Sequence, residues 1–157
     1  MLQEHRLQRQ VLHLPILPCI PPQEIHCREK QIDMEITTLL EYSDRSQLRA
    51  WLQENHSKEK ECWVVISRSK TPPPCILAYI DVVEEALCFG WIDSTLKKLT
   101  DGRLAQRLSP RRKNSHWTKL NMDRCIDLED RGLMTPAGRR AFENAYGSCV
   151  ALISPSF

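Results

Sequence analysis

The sequence contains no CxxC pair, and His26-Cys27 has no second ligand pair at zinc-site spacing, so nothing in it points to a structural metal. It has neither a GxGxxG nor a GxxxxGK[ST] loop, which removes the ground for a dinucleotide or P-loop nucleotide cofactor. No apolar run approaches the roughly 18 residues of a transmembrane helix, and no repeat at a period of about 20 to 50 residues marks a solenoid. A net charge of +2 is too small to demand a nucleic acid or membrane partner for the whole molecule. No cofactor is expected, nor insertion into a membrane. Near the N-terminus Arg6 and Arg9 precede "VLHLPILPCI", but His13, Pro15 and Pro18 break that stretch and no small-residue cleavage site follows, so it is not read as a secretory signal.

What is present suits one globular domain with a single core: 157 residues, 41% hydrophobic and 27% charged. Seven cysteines lie scattered without a repeated spacing, and an odd count without an export signal predicts reduced thiols and a cytoplasmic location. Residues 1–33 are polar, broken by proline and without a period of 2 or 3.6, which predicts a disordered or non-native extension, with Met34 as an alternative start. The domain is expected over 34–147, followed by a short tail over 148–157.

Within the domain, Ser43 and Asp44 offer N-caps, and Gln47 sits where a capping box needs it. Leu48, Trp51 and Leu52 then follow at i, i+3, i+4 spacing, so a helix is predicted to about Asn55. "CWVVIS" at 62–67 is apolar and rich in β-branched residues, the pattern of a buried strand, and "TPPP" at 71–74 is a loop. From Tyr79 to Phe89 a helix is predicted with Ile80, Val83 and Leu87 on its apolar face, and Asp81, Glu84 and Glu85 off that face as solvated groups. Gly90 is a left-handed stop. Residues 92–98 and 103–109 flank Asp101-Gly102 and predict a β-hairpin ended by Ser109-Pro110. Asn114 or Ser115 is expected to cap a helix carrying Trp117, Leu120, Cys125 and Leu128 to near Gly132. Thr135-Pro136 starts another, with Ala141, Phe142, Ala145 and Tyr146 on its apolar side and Gly147 at its end. The order helix, strand, helix, hairpin, helix, helix predicts a small α+β domain, since a parallel α/β sheet needs repeated strand-helix alternation.

In order and spacing, "DRSQLRAWLQENH", "CWVVIS", "VEEALCFGWIDS", "QRLSPRRKNSHWTKLN" and "DRGLMTPAG" resemble the YdeI/OmpD-associated proteins, also called bacteriocin-protection proteins, over roughly residues 40–145. The resemblance implies a binding or stress-protection role, linked in some members to an outer-membrane porin and to resistance against antimicrobial peptides. It carries over no catalytic residue. The first 33 residues are foreign to the pattern, and many members continue beyond the point matching "ENAYG".

Chemistry-bearing residues concentrate in two stretches, "EALCFGWID" and "SPRRKNSHW". Cys88, with His116 as a base, is a weak nucleophile candidate because the C-terminal end of a helix disfavours a thiolate; a small buried residue is the plainer account. Asp93 is a candidate partner for an arginine. From Lys97 to Arg124 nine basic residues face two acidic ones, a local +7 that leaves the rest of the chain at −5. Three readings compete for that basic face: an anion site for phosphate or carboxylate groups of a small ligand or protein partner, aided by the helix N-terminus after Ser115; a nucleic-acid surface with a base stacked on Trp117; or a solvated rim whose arginines pair with Glu84, Glu85 or Asp93. The binding residues assigned are Trp91, Asp93, Arg107, Arg111, Arg112, Ser115 and Trp117, with no catalytic residue and no metal ligand. An uncharacterised enzyme could use the same face, but no nucleophile or cofactor loop identifies one.

Overall fold

The chain divides into two units, Met1–Met34 and Glu35–Phe157. The structure, a computed structural model, describes residues 35–146. The expectations for residues 1–33, for Gly147 and for the tail over 148–157 lie outside the described residues. The elements are β1 (Leu39–Leu40), α1 (Arg45–Asn55), β2 (Cys62–Ser67), β3 (Leu77–Ala78), α2 (Tyr79–Cys88), β4 (Trp91–Lys98), β5 (Leu104–Pro110), α3 (Lys119–Asp130) and α4 (Pro136–Tyr146). Among the described residues, four helices with one mixed sheet make an α+β domain.

β2 is the spine of the sheet. β5 runs antiparallel along one edge, pairing Cys62 with Leu108 and Ile66 with Leu104. β1 and β3 pair parallel with successive halves of β2, at Trp63–Val64 and Ile66–Ser67, and so share its other edge. Cys62, Val64 and Ile66 join the main core cluster, while alternate Trp63 and Val65 point to the opposite face and are also buried. Burial on both faces is why this strand reads as an unbroken apolar run rather than an alternating one. The two-residue strands β1 and β3 escape sequence reading because two residues cannot display a period.

Local signals act as predicted at several points. The Asp44 carboxylate accepts from Ser46 N at 2.7 Å and Gln47 Oε1 accepts from Asp44 N at 3.1 Å, closing the capping box on α1. Gly90 ends α2 with φ 74°, and Gly102 turns the hairpin with φ 89°. β4 carries one extra residue between Asp93 and Leu96, and the buried Gln106 side chain donates to the Thr95 carbonyl freed by that bulge, at 3.2 Å.

α2 is the central helix, in contact with α1, α3, α4 and the sheet. Burial therefore reaches further around it than one amphipathic face. Glu85, expected in solvent, is 2% exposed and bridges two arginines of α1: its Oε1 accepts from Arg45 at 2.8 Å and its Oε2 from Arg49 at 3.0 Å. Ile80, placed on the apolar face by its spacing, lies in the first turn beyond that packing and is 45% exposed. Leu120, likewise, is 59% exposed at the start of α3. Ala145 is exposed too, whereas Ala141 and Phe142 pack on the core as their spacing predicts.

α4 starts at Pro136 behind Thr135, as the cap signal predicts. Thr135 fastens it to the end of α2, donating to the Cys88 carbonyl from its amide at 3.1 Å and from Oγ1 at 2.6 Å. The approach is so close that a Cβ at Gly138 would sit 2.3 Å from the Cys88 oxygen. Gly138→Ala should therefore cost about 2–3 kcal/mol, in the range of core overpacking, read as a lower urea midpoint with an unchanged slope. Glu85→Ala should be comparably damaging. Removing one partner of a buried ion pair costs about 3–5 kcal/mol, and the lower end applies because the Arg45 and Arg49 side chains are 30% and 31% exposed and can rehydrate. An unaltered midpoint in the same titration would show that this pair contributes nothing to stability.

Candidate functional site

The two chemistry-bearing stretches meet. Trp91 pairs with Pro110 across the hairpin, and Arg111 N donates to the Gly90 carbonyl at 3.0 Å, so the stop of α2 and the exit from β5 form one corner. Antiparallel pairing from Asp101-Gly102 outward brings the two ends together.

Several assigned residues turn out to hold the fold. Trp91 is buried, its Nε1 donates to the His56 carbonyl at 3.3 Å, and its ring meets Trp51 edge to face at 6.2 Å. Asp93 accepts from the Tyr79 hydroxyl at 2.7 Å in place of the expected arginine. Burial and that hydrogen bond push the Tyr79 phenol up from its ordinary value. Arg107 belongs to the opposite sheet face, across from Trp63, where it is paired with Glu61 and reaches the Ser94 hydroxyl at 3.3 Å.

Ser115 does not cap a helix. α3 begins at Lys119, with Thr118 Oγ1 accepting from Asn121 N at 3.2 Å, because residues 111–117 are still tied to the hairpin corner and to a turn closed by Ser115 N on the Arg112 carbonyl. Free helix amides after Ser115 are therefore not part of the site. Trp117, placed ahead of α3, is 7% exposed and packs against Phe142 of α4 at 5.4 Å. The Arg111 guanidinium lies over the Trp117 ring at 3.7 Å and points one edge at Ser115 Oγ and the His116 carbonyl, both at 3.4 Å.

Between this corner and α4 opens a pocket of about 310 Å³. One wall is Arg111, Arg112, Lys113 and Trp117; the other is Ala137, Arg140, Ala141 and Asn144. Among the described residues, four cations and no carboxylate line it. Most other arginines of the domain are neutralised: Arg45, Arg49 and Arg131 by Asp81, Glu84 and Glu85, Arg103 by Glu41 and Asp101, and Arg139 by Glu129. The arginines that meet Glu84 and Glu85 thus come from α1 and from the C-cap of α3, not from the hairpin segment. By contrast, no described residue forms an ion pair with Arg112, Lys113 or Arg140.

Arg140, Ala137, Ala141 and Asn144 were not among the residues assigned from sequence. Their spacing at i, i+3, i+4 and i+7 puts them on one face of α4, but nothing local indicates that this face opposes Arg112. A second pocket of about 290 Å³ is lined by Ser67, Arg68, Ser69, Ala78, Tyr79 and Ile80. It has one cation, and Arg68 lies over the Tyr79 ring at 4.6 Å.

Cys88 is buried, and burial followed by the nearby Glu85 charge pushes its thiol up to about 11. Cys62 and Cys125 are pushed up to about 12, chiefly by burial. Among the described residues no group of three His, Cys, Asp or Glu could hold a metal ion, and no helix is long and apolar enough to cross a membrane.

Fold and pocket together define a small α+β domain with a cationic pocket at a hairpin-helix corner. The chain belongs to the family described as a domain of unknown function, DUF8412, whose model matches residues 40–141. No curated protein and no solved structure matches it. The match runs from β1 into α4 and includes every lining residue of the cationic pocket except Asn144.

At neutral pH a mild alkylating reagent should modify exposed Cys75 well before Cys62, Cys88 or Cys125, since the raised thiols carry almost no thiolate and are covered. Peptide mass spectrometry over a time course checks this order; rapid labelling at Cys88 would restore it as a nucleophile candidate.

Proposed function

We propose that this domain is a binding module that takes a small anionic ligand in the pocket between the hairpin corner and α4. The observation that carries the proposal is the convergence of Arg112, Lys113 and Arg140 on a cavity whose lining holds no carboxylate among the described residues. Elsewhere the domain pairs most of its described arginines with carboxylates, and cations held together cost free energy through mutual repulsion unless an anion offsets it. The motif resemblance to YdeI/OmpD-associated proteins extends the reading to stress protection, including resistance to antimicrobial peptides, with an anionic segment of a protein partner as the larger form of the same ligand. The free cysteines Cys62, Cys75, Cys88 and Cys125 agree with a reducing compartment such as the cytoplasm.

A nucleic-acid role has less support. Arg111 covers a face of Trp117 and Phe142 meets the ring on another side, which leaves a largely buried indole poorly placed to stack a base.

The roles of Arg111, Arg112, Arg140 and Trp117 separate by mutation. Arg112 and Arg140 are exposed, so Arg112→Gln with Arg140→Gln should leave stability within about 1 kcal/mol and weaken binding of small organic anions about tenfold or more, as expected for lost charge-assisted contacts. Affinity of the unaltered chain should fall with added salt. Arg111→Gln should instead lower stability by about 1–2 kcal/mol through its lost stacking, and Trp117→Ala by about 3–5 kcal/mol. Calorimetric titration and urea unfolding of each variant decide it. Unchanged anion affinity in the double variant would sink the proposal.

A further inference from the structure

We infer that the ligand of this pocket is a small phosphomonoester carrying a compact apolar group, an inference that rests on the pocket being an anion site. Charge is the first ground. A carboxylate carries one negative charge; bound here, it would leave most of the charge of Arg112, Lys113 and Arg140 uncompensated. A phosphomonoester brings about −1.5 to −2 at neutral pH and comes closer to balancing the site.

Shape is the second ground. The cations stand on two facing walls, Arg112 and Lys113 after β5 and Arg140 on α4, with the Asn144 amide one helical turn beyond Arg140. The three terminal oxygens of a phosphoryl group diverge in three dimensions, so one group can accept from both walls at once, whereas the acceptor sites of a carboxylate lie in one plane. Guanidinium forks and a lysine ammonium are donors without acceptors, which matches a head group made of acceptors.

The remaining lining sets the rest of the ligand. Ala137 and Ala141 form an apolar wall that cannot recede, because Ala137 O and Ala141 Cβ already lie where a Cβ at Gly90 would be 3.0 Å away. The volume of about 310 Å³ stands at the small end of ligand pockets, which run from about 300 to 1,000 Å³. That accommodates a head group and one compact moiety and disfavours a polymer.

Phenyl phosphate, phenyl sulfate and benzoate share one ring and differ in charge and head-group shape, and inorganic phosphate lacks the ring. Each should be titrated into the full chain by calorimetry, with the Asn144 amide and Trp117 indole followed by NMR. Phenyl phosphate is expected to bind about tenfold or more tighter than phenyl sulfate, benzoate or inorganic phosphate. Arg140→Gln should remove most of that advantage while leaving the unfolding midpoint in place. If benzoate or phenyl sulfate binds as tightly through the same residues, the anion site stands and the phosphomonoester assignment is overturned. Inorganic phosphate binding as tightly as phenyl phosphate would overturn the apolar part of the ligand. A short oligonucleotide or phosphopeptide binding these residues far more tightly than phenyl phosphate would replace the small ligand by a macromolecule. No shift at Asn144 or Trp117 with any probe would overturn both this inference and the anion site beneath it.

Discussion

The carbonyl oxygen of Cys88 accepts two hydrogen bonds from Thr135, at 3.1 Å and 2.6 Å, and that contact fixes where α4 can lie. It joins the C-terminal end of one helix to the N-terminal end of another, where orphan acceptors meet orphan donors. Gly138 permits the approach by having no Cβ, and Gly90 permits it from the other side by turning the chain at φ 74° beside Ala137 and Ala141. Once α4 is held there, Arg140 and Asn144 stand across from Arg112 and Lys113. The pocket is a consequence of that junction.

A second constraint sorts the charge. Acidic residues of α2 draw arginines from α1 and from the C-cap of α3, with Glu85 at the buried end of the network. The sheet has its own local pairs, Arg103 with Asp101 and Glu41 and Arg107 with Glu61. Arg112, Lys113 and Arg140 form no ion pair with a described residue, and all three line the pocket between the hairpin corner and α4. Stacking on Trp117 then holds Arg111 in place within that site. The cation is kept by packing as well as by charge, and that separates Arg111 from the solvent-facing Arg112 and Arg140.

Much of the fold is legible because its signals are local. Asp44 and Gln47 cap their own helix three residues apart, Gly90 and Gly102 adopt the left-handed conformations their positions demand, and the apolar run from Cys62 to Ile66 marks the strand buried on both faces. The clustering of arginines after Pro110 is likewise visible. The pairs β1 and β3 are too short to have a pattern, and Thr118 rather than Ser115 caps α3 because the segment before it is detained by the hairpin corner.

The sequence by itself determined the types and order of the longer elements and the segment where positive charge would gather, since caps, turns and periodicity depend on residues a few positions apart. Only the tertiary structure decided which charges stay available. Glu85 became a buried bridge, Asp93 took a tyrosine and Arg107 turned to the far face of the sheet. Arg140 and Asn144 joined the site from about 30 residues away in the chain. Pairing between charges depends on distances across packed elements, and those distances are set by the junction of α2 with α4, which no local stretch of the chain encodes.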